Sequence, residues 1–317
     1  MIVTVTLNPA VDCSMNVTGY TENAVNRADF QHLTAGGKGI NISVILKRLG
    51  IQTSAYSFCG GETGRLFCNL LDNTGLDYSV IWLENQRTRI NFKLKHGKYE
   101  TEINGTGTVI SPEILDDFIS DLDKNLNNND ILVLAGSIPP SSPPDTYAYI
   151  MKRLSHRNIR IVADTSGKPL LEILPYRPFL IKPNNHELAD ILGRPVNTPD
   201  EASAGARELQ KMGAGNIIVS LAEKGSVLLT ADGTEYRIKA PKGTVKNSVG
   251  AGDSMLAGFL AGLEKTGNFV LAHVLGTACG SATAFSDGLA EKSEIIRVLN
   301  EMFHDTQLVQ NFFGIEF

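Results

Sequence analysis

Four short apolar runs recur through the middle of the chain, each bounded by polar or turn residues, and stretches of helical length lie between them. Short runs of this kind, most of them rich in β-branched residues, are typical of strands that are buried on both faces of a parallel sheet. Strands that alternate with helices form right-handed crossovers. The pattern therefore predicts an α/β fold with a mostly parallel sheet. The predicted strands are 131–134, 161–163, 179–181 and 217–219, and the predicted helices are 112–125, 143–154, 185–192 and 199–212.

Two further segments depart from this alternation of strands and helices. Residues 87–95 alternate strictly between polar and apolar side chains, and after a turn at 96–98 residues 99–103 can return as a second strand. The region 12–32 is also strand-like and polar. We therefore predict a single domain over 1–317 with a small β-sheet lid, whose strands lie within about 12–32 and 87–106. The apolar face of such a sheet must be covered, either by the active site or by a matching sheet of a partner.

The composition excludes several classes of function. The chain has 317 residues and a formal net charge of -5, from 29 basic and 34 acidic side chains. That mild acidity argues against a nucleic-acid surface, which needs a basic stripe. No cysteine lies in a C-x-x-C pair, which argues against zinc and favours a reducing compartment. The first residues lack a signal-peptide pattern, and no apolar run approaches the length of a membrane span. We therefore expect a cytoplasmic protein with no nucleic-acid or membrane partner.

A glycine-rich motif at residues 248–253 ends in a carboxylate and precedes a helical apolar stripe. Its glycines therefore lie at a helix N-terminus, where free backbone N–H groups and the helix dipole bind anions. Phosphoryl transfer needs this kind of stabilisation, and Asp253 could take the proton from an attacking hydroxyl. Asp253 could also be only a helix cap. The motif is not a dinucleotide fingerprint, because Met255 replaces the last glycine, and the Gly-Lys pair at 37–38 is not a Walker A motif, because Gly39 follows it.

A second glycine-rich motif, at residues 36–41, opens another helix. Its three glycines let a ligand approach the backbone closely. Lys38 adds a cation, and Asn41 lies one turn further on, where its amide can bind hydroxyl groups. Upstream, the first residues of the chain alternate like a strand and then turn, so that Asp12 comes just after a predicted strand and could accept two hydroxyl groups of a sugar. Each feature also has a plain structural explanation, as a glycine-rich turn and a turn aspartate.

Seven motifs occur in register along the chain, at residues 6–12, 36–41, 136–140, 164–167, 182–187, 219–225 and 249–254. Together they resemble the landmarks of the ribokinase/PfkB carbohydrate kinase family over essentially the whole chain. Residues 88–93 resemble a stretch typical of the branch of this family that phosphorylates fructose 1-phosphate. The chain departs from the family pattern where Asn247 and Ser248 replace a frequent Asp-Thr and Ser141 replaces a frequent glycine. The resemblance implies a ribokinase-like three-layer core with a mostly parallel sheet, and ATP bound over the carboxyl ends of its strands.

The resemblance also implies roles for individual residues on the sugar side. Fructose 1-phosphate would lie under the small sheet, and Asp253 would take the proton from its C6 hydroxyl to give fructose 1,6-bisphosphate. The backbone amides of the motif, from Gly250, Ala251, Gly252 and Asp253, would hold the charge that develops. Sugar hydroxyls would be bound by Asp12 and Asn41. The remaining sugar-phosphate contacts would come from Arg27, Gly37, Lys38, Arg89, Asn91 and Ser137.

On the nucleotide side, the resemblance implies ATP with Mg²⁺. Asn184 and Glu187 would orient the metal through water molecules. The residues beside the nucleotide would be Lys182, Asn184, Ser220, Gly225, Ser248, Val249, Gly250 and Gly252. Lys182, Asn184 and Glu187 have an alternative explanation, as a helix cap with a neighbouring surface charge.

Several alternatives stay open. Within the family, the substrate could be tagatose 6-phosphate or fructose 6-phosphate. A rival of another class is a non-catalytic sugar-phosphate sensor that kept the fold, and a third is a nucleotide-dependent oxidoreductase, which the missing fingerprint disfavours. Since relatives are often dimers and the small sheet would pair well across a two-fold axis, we expect a homodimer through the lid sheet. The tail 309–317 is a candidate for docking on the body of the protein.

Overall fold

The structure is a computed structural model that describes residues 1–97 and 99–303. Lys98, in the predicted turn, and the tail 309–317 lie outside the described residues. The strands are β1 (Ile2–Thr6), β2 (Ala10–Asn16), β3 (Phe30–Gly36), β4 (Thr53–Cys59), β5 (Asp77–Trp82), β6 (Arg89–His96), β7 (Tyr99–Asn104), β8 (Ile131–Ala135), β9 (Arg160–Asp164), β10 (Leu180–Ile181), β11 (Asn216–Ser220), β12 (Ser226–Leu229) and β13 (Glu235–Ile238).

The α-helices alternate with these strands through most of the described chain. They are α1 (Lys38–Arg48), α2 (Gly61–Asp72), α3 (Pro112–Asn125), α4 (Thr146–Arg153), α5 (Gly167–Ile173), α6 (Asn185–Leu192), α7 (Pro199–Lys211), α8 (Ala251–Thr266), α9 (Phe269–Ala284) and α10 (Lys292–Phe303). Within the described residues, no helix has the length and apolarity needed to cross a bilayer.

The central sheet has nine strands in the order β13-β12-β11-β10-β9-β8-β1-β4-β5. All neighbours from β11 to β5 in this order pair in parallel, and only β12 and β13 are antiparallel. This confirms the predicted α/β fold with a mostly parallel sheet. The four predicted central strands correspond to β8, β9, β10 and β11.

Alternate residues of the central strands face opposite sides of the sheet, so that each side carries its own hydrophobic core. In β1, Val3 and Val5 join the cluster formed with helices α3 to α7. Ile2 faces the other way, into the cluster formed with α1, α8, α9 and α10. Helix α2 lies beside α1, where Phe67 packs with Ile40. The result is the predicted three-layer arrangement, with helices on both faces of one sheet.

The predicted start of a helix agrees with the structure where the sequence provides an N-cap residue. Helix α3 begins after Ser111, whose Oγ accepts a hydrogen bond from the amide of Ile114 at 3.3 Å. The helix predicted at 143–154 begins later, at Thr146, because the preceding prolines form a turn in which the Thr146 amide donates to the carbonyl of Pro143.

A second, four-stranded sheet in the order β3-β2-β6-β7 forms the lid. The predicted bounds of its first part need correction, since the strands are β2 and β3 and no strand is formed over 17–29. That connection turns instead: the Thr18 amide donates to Asp29 Oδ2 at 2.7 Å, and the side chain of Asn26 bonds the amide of Thr21. Strand β6 begins at Arg89, two residues later than predicted.

The two faces of the lid differ as the alternation of 87–95 predicts, and the structure decides which face covers the core. The polar face turns inward, where Asn91 is buried. The apolar face turns outward, and there Ile90, Phe92 and Ile103 are exposed. The active-site side is therefore covered by polar groups, and the apolar face has no cover within the described chain.

Candidate active site

Parallel strands bring their carboxyl ends to one edge of the central sheet, and the polar residues of the motifs meet there. Asp164 ends β9, and Lys182 directly follows β10. Lys38 is the first residue of α1, and Asp253 lies in the first turn of α8. Residues from four distant parts of the sequence thus form one cluster of charges.

The glycine-rich loop before α8 presents free backbone amides. Gly250 is the N-cap residue in the left-handed region, with φ 79°, a conformation that favours glycine. The Ala251 amide donates to the carbonyl of Ser248 at 3.2 Å. Among the described residues, no hydrogen-bond acceptor is found for the amides of Gly252 and Asp253. These two amides, at the positive end of a helix, form an anion site.

The carboxylate of Asp253 is almost fully buried, with 6% of the residue exposed. Its Oδ2 accepts a hydrogen bond of 2.7 Å from Asn41 Nδ2. Burial raises the pKa of Asp253 above its ordinary value, and this effect prevails although the Lys38 ammonium and the Asn41 amide pull the pKa down. A carboxylate with a raised pKa is a stronger proton acceptor, which suits general-base chemistry.

Asp164 holds two ammonium groups at the centre of the cluster. Its Oδ1 lies 3.1 Å from Lys38 Nζ and 3.4 Å from Lys182 Nζ. Burial alone would raise the pKa of Asp164, but the two lysines hold it below its ordinary value. Burial would likewise lower the pKa of Lys38, but the neighbouring carboxylates, with Asp164 first, raise it. Asp164 and Lys38 are therefore both charged at neutral pH.

Lys182 approaches the glycine loop directly. A Cβ atom added to Gly252 would lie 3.1 Å from Lys182 Nζ, so a side chain at this position would crowd the ammonium group. The free amide of Gly252 and the ammonium of Lys182 are therefore neighbours. Both are positive, as a site for phosphate groups requires.

Asp12 is held under the lid by two donors from β6. Asn91 Nδ2 donates to its Oδ1 at 2.9 Å, and Lys93 Nζ contacts its Oδ2 at 2.8 Å. The carboxylate also lies over Gly36, where an added Cβ would come within 2.6 Å of both oxygens. Only glycine fits at position 36 with this placement of Asp12.

Arg89 lies at the inner end of the lid and donates to three backbone carbonyls. They belong to Asn8 at 2.9 Å, Gly105 at 3.0 Å and Pro9 at 3.4 Å. Burial lowers the pKa of Arg89, and the charge of Asp12 partly opposes this. Ser137 is joined to the same region, because Asn8 Nδ2 donates to Ser137 Oγ at 3.3 Å. The hydroxyl proton of Ser137 is thereby left free for another acceptor.

The structure does not bring every predicted sugar-phosphate residue to this cluster. Arg27 lies in the 17–29 connection, where it is exposed and has no ion pair or hydrogen bond within the described chain. Gly37 stays in the site as a close-approach position, with φ 140° and the methyl group of Thr6 against it. Asn91 contacts Asp12 with its amide nitrogen and accepts from the Gly105 amide at 3.2 Å, so both ends of its side chain are engaged.

The predicted metal residues form the helix cap that was their alternative explanation. The Asn184 amide donates to Glu187 Oε2 and the Glu187 amide to Asn184 Oδ1, both at 2.8 Å, which is a capping box. No group of three or more acidic, histidine or cysteine side chains that could hold a metal occurs among the described residues.

Ser220 is the last residue of β11, the neighbour of β10 in the sheet, and Gly225 directly precedes β12. Asn184 pairs with Ser220 in an isolated parallel bridge, which aligns the segment after β10 with the end of β11. Gly225 has φ 92° and packs against the carbonyl of Ile238, so its glycine is explained by backbone packing.

Two residues of the site, Asp164 and Lys93, lie in motifs of the sequence but were given no role in the predicted site. Asp164 stands directly after a predicted strand, and this position at the carboxyl end of a strand is the signal that could have identified it. Lys93 shares the polar face of its strand with Arg89 and Asn91, but its partner Asp12 lies 81 residues away in sequence.

Comparisons with known proteins identify the family of the chain. Residues 5–296 match the model of the pfkB family carbohydrate kinases. The chain belongs to this family. It is 43% identical over 302 residues to the 1-phosphofructokinase of Bacillus subtilis, covering 95% of this chain and 98% of that protein. It is 33% identical to the D-tagatose-1-phosphate kinase of Bacillus licheniformis, with 95% and 98% covered.

The fold is shared with solved structures of sugar-phosphate kinases. Phosphofructokinase-2 of Escherichia coli, in complex with substrates and products, superposes with a TM-score of 0.88 at 23% identity and covers 95% of this chain and 99% of its own. The ribokinase-like fold predicted above is thereby confirmed. The chain is a carbohydrate kinase similar to 1-phosphofructokinase, and kinases of this family use ATP with a divalent metal.

The contact of Gly36 with Asp12 gives a direct test of the sugar side of the site. Gly36→Ala places a methyl group against a carboxylate that Asn91 and Lys93 already fix, so Asp12 must move. We expect the KM for the sugar phosphate to rise about tenfold or more, with the KM for ATP within about twofold of the wild type.

Gly288→Ala is the matched control for this variant, because Gly288 is exposed and an added Cβ would meet no atom within 4 Å. Steady-state kinetics of both variants check the prediction. An equal rise of the two KM values in Gly36→Ala would contradict it.

Proposed function

We propose that the protein transfers the γ-phosphoryl group of ATP to the C6 hydroxyl of fructose 1-phosphate, which gives fructose 1,6-bisphosphate. The observation that carries the reaction type is Asp253, a buried carboxylate with a raised pKa beside the free amides of the glycine loop. The choice of substrate is supported by the 43% identity to a 1-phosphofructokinase and by the stretch at 88–93.

The transfer follows from the arrangement of charges. Asp253 accepts the proton of the C6 hydroxyl while the oxygen of that hydroxyl forms a bond to the γ-phosphorus. At the same time, the bond between the γ-phosphorus and the oxygen that it shares with the β-phosphate breaks, and ADP leaves. The amides of Gly252 and Asp253 donate to the moving phosphoryl group. Lys38 and Lys182 add positive charge on either side, and Asp164 keeps both ammonium groups in place.

The sugar phosphate is oriented from the lid and from the start of α1. Asp12 and Asn41 bind hydroxyl groups. Within the described residues, Arg89 makes no direct contact with a carboxylate, so it is our candidate for binding the existing phosphate, with the free proton of Ser137 beside it. Arg27 would reach the phosphate only through a movement of the exposed 17–29 connection.

Mg²⁺ is the metal that we propose for the nucleotide. When bound, it would neutralise part of the negative charge of the phosphate groups. The residues of this chain fit such a role only at a distance: Glu187 uses Oε2 in the capping box, which leaves Oε1 for a water ligand, and Asn184 lies beside it. Ser220, Ser248 and Val249 are proposed to lie along the nucleotide.

A second copy of the chain is the proposed cover for the outer face of the lid. Ile90, Phe92 and Ile103 expose 36%, 41% and 64% of their surface there, and an exposed apolar patch on a sheet is a common site of association with another chain. Sedimentation at micromolar concentration should show a homodimer that Phe92→Lys dissociates. A monomeric wild type would contradict this assembly.

The substrate is tested by kcat/KM values measured side by side on fructose 1-phosphate, tagatose 1-phosphate, fructose 6-phosphate and tagatose 6-phosphate. We expect fructose 1-phosphate to exceed the others. Tagatose 1-phosphate is included because of the likeness to the B. licheniformis enzyme. Preference for a 6-phosphate would refute the proposed substrate, and absence of ADP release on all four would favour a sugar-phosphate sensor.

The proposed base is tested by Asp253→Asn, which keeps the size of the side chain and removes its ability to accept the proton. We expect kcat to fall by about 10²–10⁴-fold while the affinity for ATP stays near the wild-type value. Single-turnover kinetics and equilibrium nucleotide binding measure the two effects separately. Turnover within a factor of about three of the wild type would rule Asp253 out as the base.

A further inference from the structure

The inner face of the lid strand β6 carries three cations, Arg89, Lys93 and Lys95, which the alternation of the strand directs to the same side. Their contacts differ. Arg89 donates to backbone carbonyls, and Lys95 Nζ donates to the carbonyl of Lys246 at 3.3 Å. Of the three, Lys93 alone contacts a carboxylate, that of Asp12 at 2.8 Å.

The Asp12–Lys93 pair is nearly enclosed but not sealed. The side chains of Lys93 and Asp12 are 13% and 12% exposed. The third member of the group, Asn91, has both ends of its amide engaged by Asp12 and Gly105. The remaining hydrogen-bonding capacity therefore lies in the free lone pairs of the Asp12 carboxylate and in the N–H groups of Lys93 that do not contact it.

The Asp12 carboxylate thus offers a hydrogen-bond acceptor directly beside the donor of the Lys93 ammonium group, and the pair as a whole has no net charge. A phosphate group would be attracted by Lys93 and repelled by Asp12 at nearly the same distance, so the pair is a poor anion site. Two adjacent hydroxyl groups fit it well, because one hydroxyl donates to the carboxylate and the oxygen of the next accepts from the ammonium. The secondary hydroxyls of a ketohexose phosphate provide this arrangement.

We propose that Lys93 is a specificity-determining residue, and that the Asp12–Lys93 pair distinguishes the configuration of adjacent sugar hydroxyls. The inference rests on the proposed function, since it concerns the sugar that this site phosphorylates. If the configuration is inverted at one of the two carbon atoms that carry these hydroxyls, the hydroxyl on that carbon moves away from the Asp12 carboxylate or the Lys93 ammonium group that would bind it. The pair cannot follow, because Asp12 is fixed by Asn91 and by its contact with Gly36.

The test compares two C4 epimers, fructose 1-phosphate and tagatose 1-phosphate, in the wild type and in Lys93→Met. Methionine keeps the length and apolar stem of the side chain and removes the donor. We expect kcat/KM for the preferred epimer to fall about 10- to 100-fold, mainly through KM, as the loss of a hydrogen bond to a charged group predicts. The disfavoured epimer should lose less than about threefold, so that the ratio between epimers narrows about tenfold.

Lys95→Met is the matched control, because it removes a lysine from the same face of the same strand without touching Asp12. We expect its epimer ratio to equal that of the wild type. The KM for ATP and the melting temperature are measured for both variants. If Lys93→Met lowers kcat/KM equally for both epimers, or leaves the kinetics unchanged, the inference is wrong.

Failure of the proposed function gives a different result. In that case the wild type itself does not phosphorylate fructose 1-phosphate. The same ratio is then measured between fructose 6-phosphate and tagatose 6-phosphate, which are also C4 epimers. If Lys93→Met narrows the ratio of kcat/KM between these two 6-phosphates, the role of Lys93 is supported although the proposed substrate is wrong. If the ratio is unchanged, both the proposed substrate and the role of Lys93 are wrong.

Discussion

The contact of one buried carboxylate with two ammonium groups is the interaction on which the rest of the site depends. Asp164 is 1% exposed and Lys182 4%, so each would be strongly destabilising if it were buried alone. Their pairing, with Lys38 as the third member, joins the start of α1, the end of β9 and the segment after β10. Removal of Asp164 would leave two cations against each other beside the glycine loop.

This charge cluster also explains how Asp253, the proposed base, can accept a proton in a site full of cations. Lys38 lowers the pKa of Asp253, which by itself would weaken the base, but burial and the like charge of Asp164 raise it. The cluster thus supplies positive charge for the phosphates and still leaves a carboxylate that takes up a proton. Asn41 fixes the orientation of that carboxylate from the opposite helix.

The elements that could be predicted from the sequence are those with a local signal. The buried runs of β8 and β9 and the capped helices α3 and α6 lie where the sequence placed them, because strand burial and capping are decided by nearby residues. The prediction of a strand-like region over 12–32 was wrong for residues 17–29. These polar residues resemble a strand in composition but hydrogen-bond with each other in turns.

The roles of individual site residues were harder to predict, because they depend on contacts between distant segments. The ion pair of Lys38 with Asp164 spans 126 residues and that of Lys93 with Asp12 spans 81. The periodicity of polar and apolar residues along the sequence carries no information about such distant pairs. The capping box of Asn184 and Glu187 is the opposite case, since it is local and its sequence pattern already indicated it.

The central proposal, that the buried Asp253 carboxylate is the general base and must be unprotonated to act, is tested most directly by the pH dependence of kcat at saturating substrates. Asn41 donates to the charged form of Asp253 and so lowers its pKa. In Asn41→Ala the pKa should rise, and the pH below which kcat falls should move upward relative to the wild type. An acid limb at the same pH in both proteins, or at lower pH in the variant, would contradict the account.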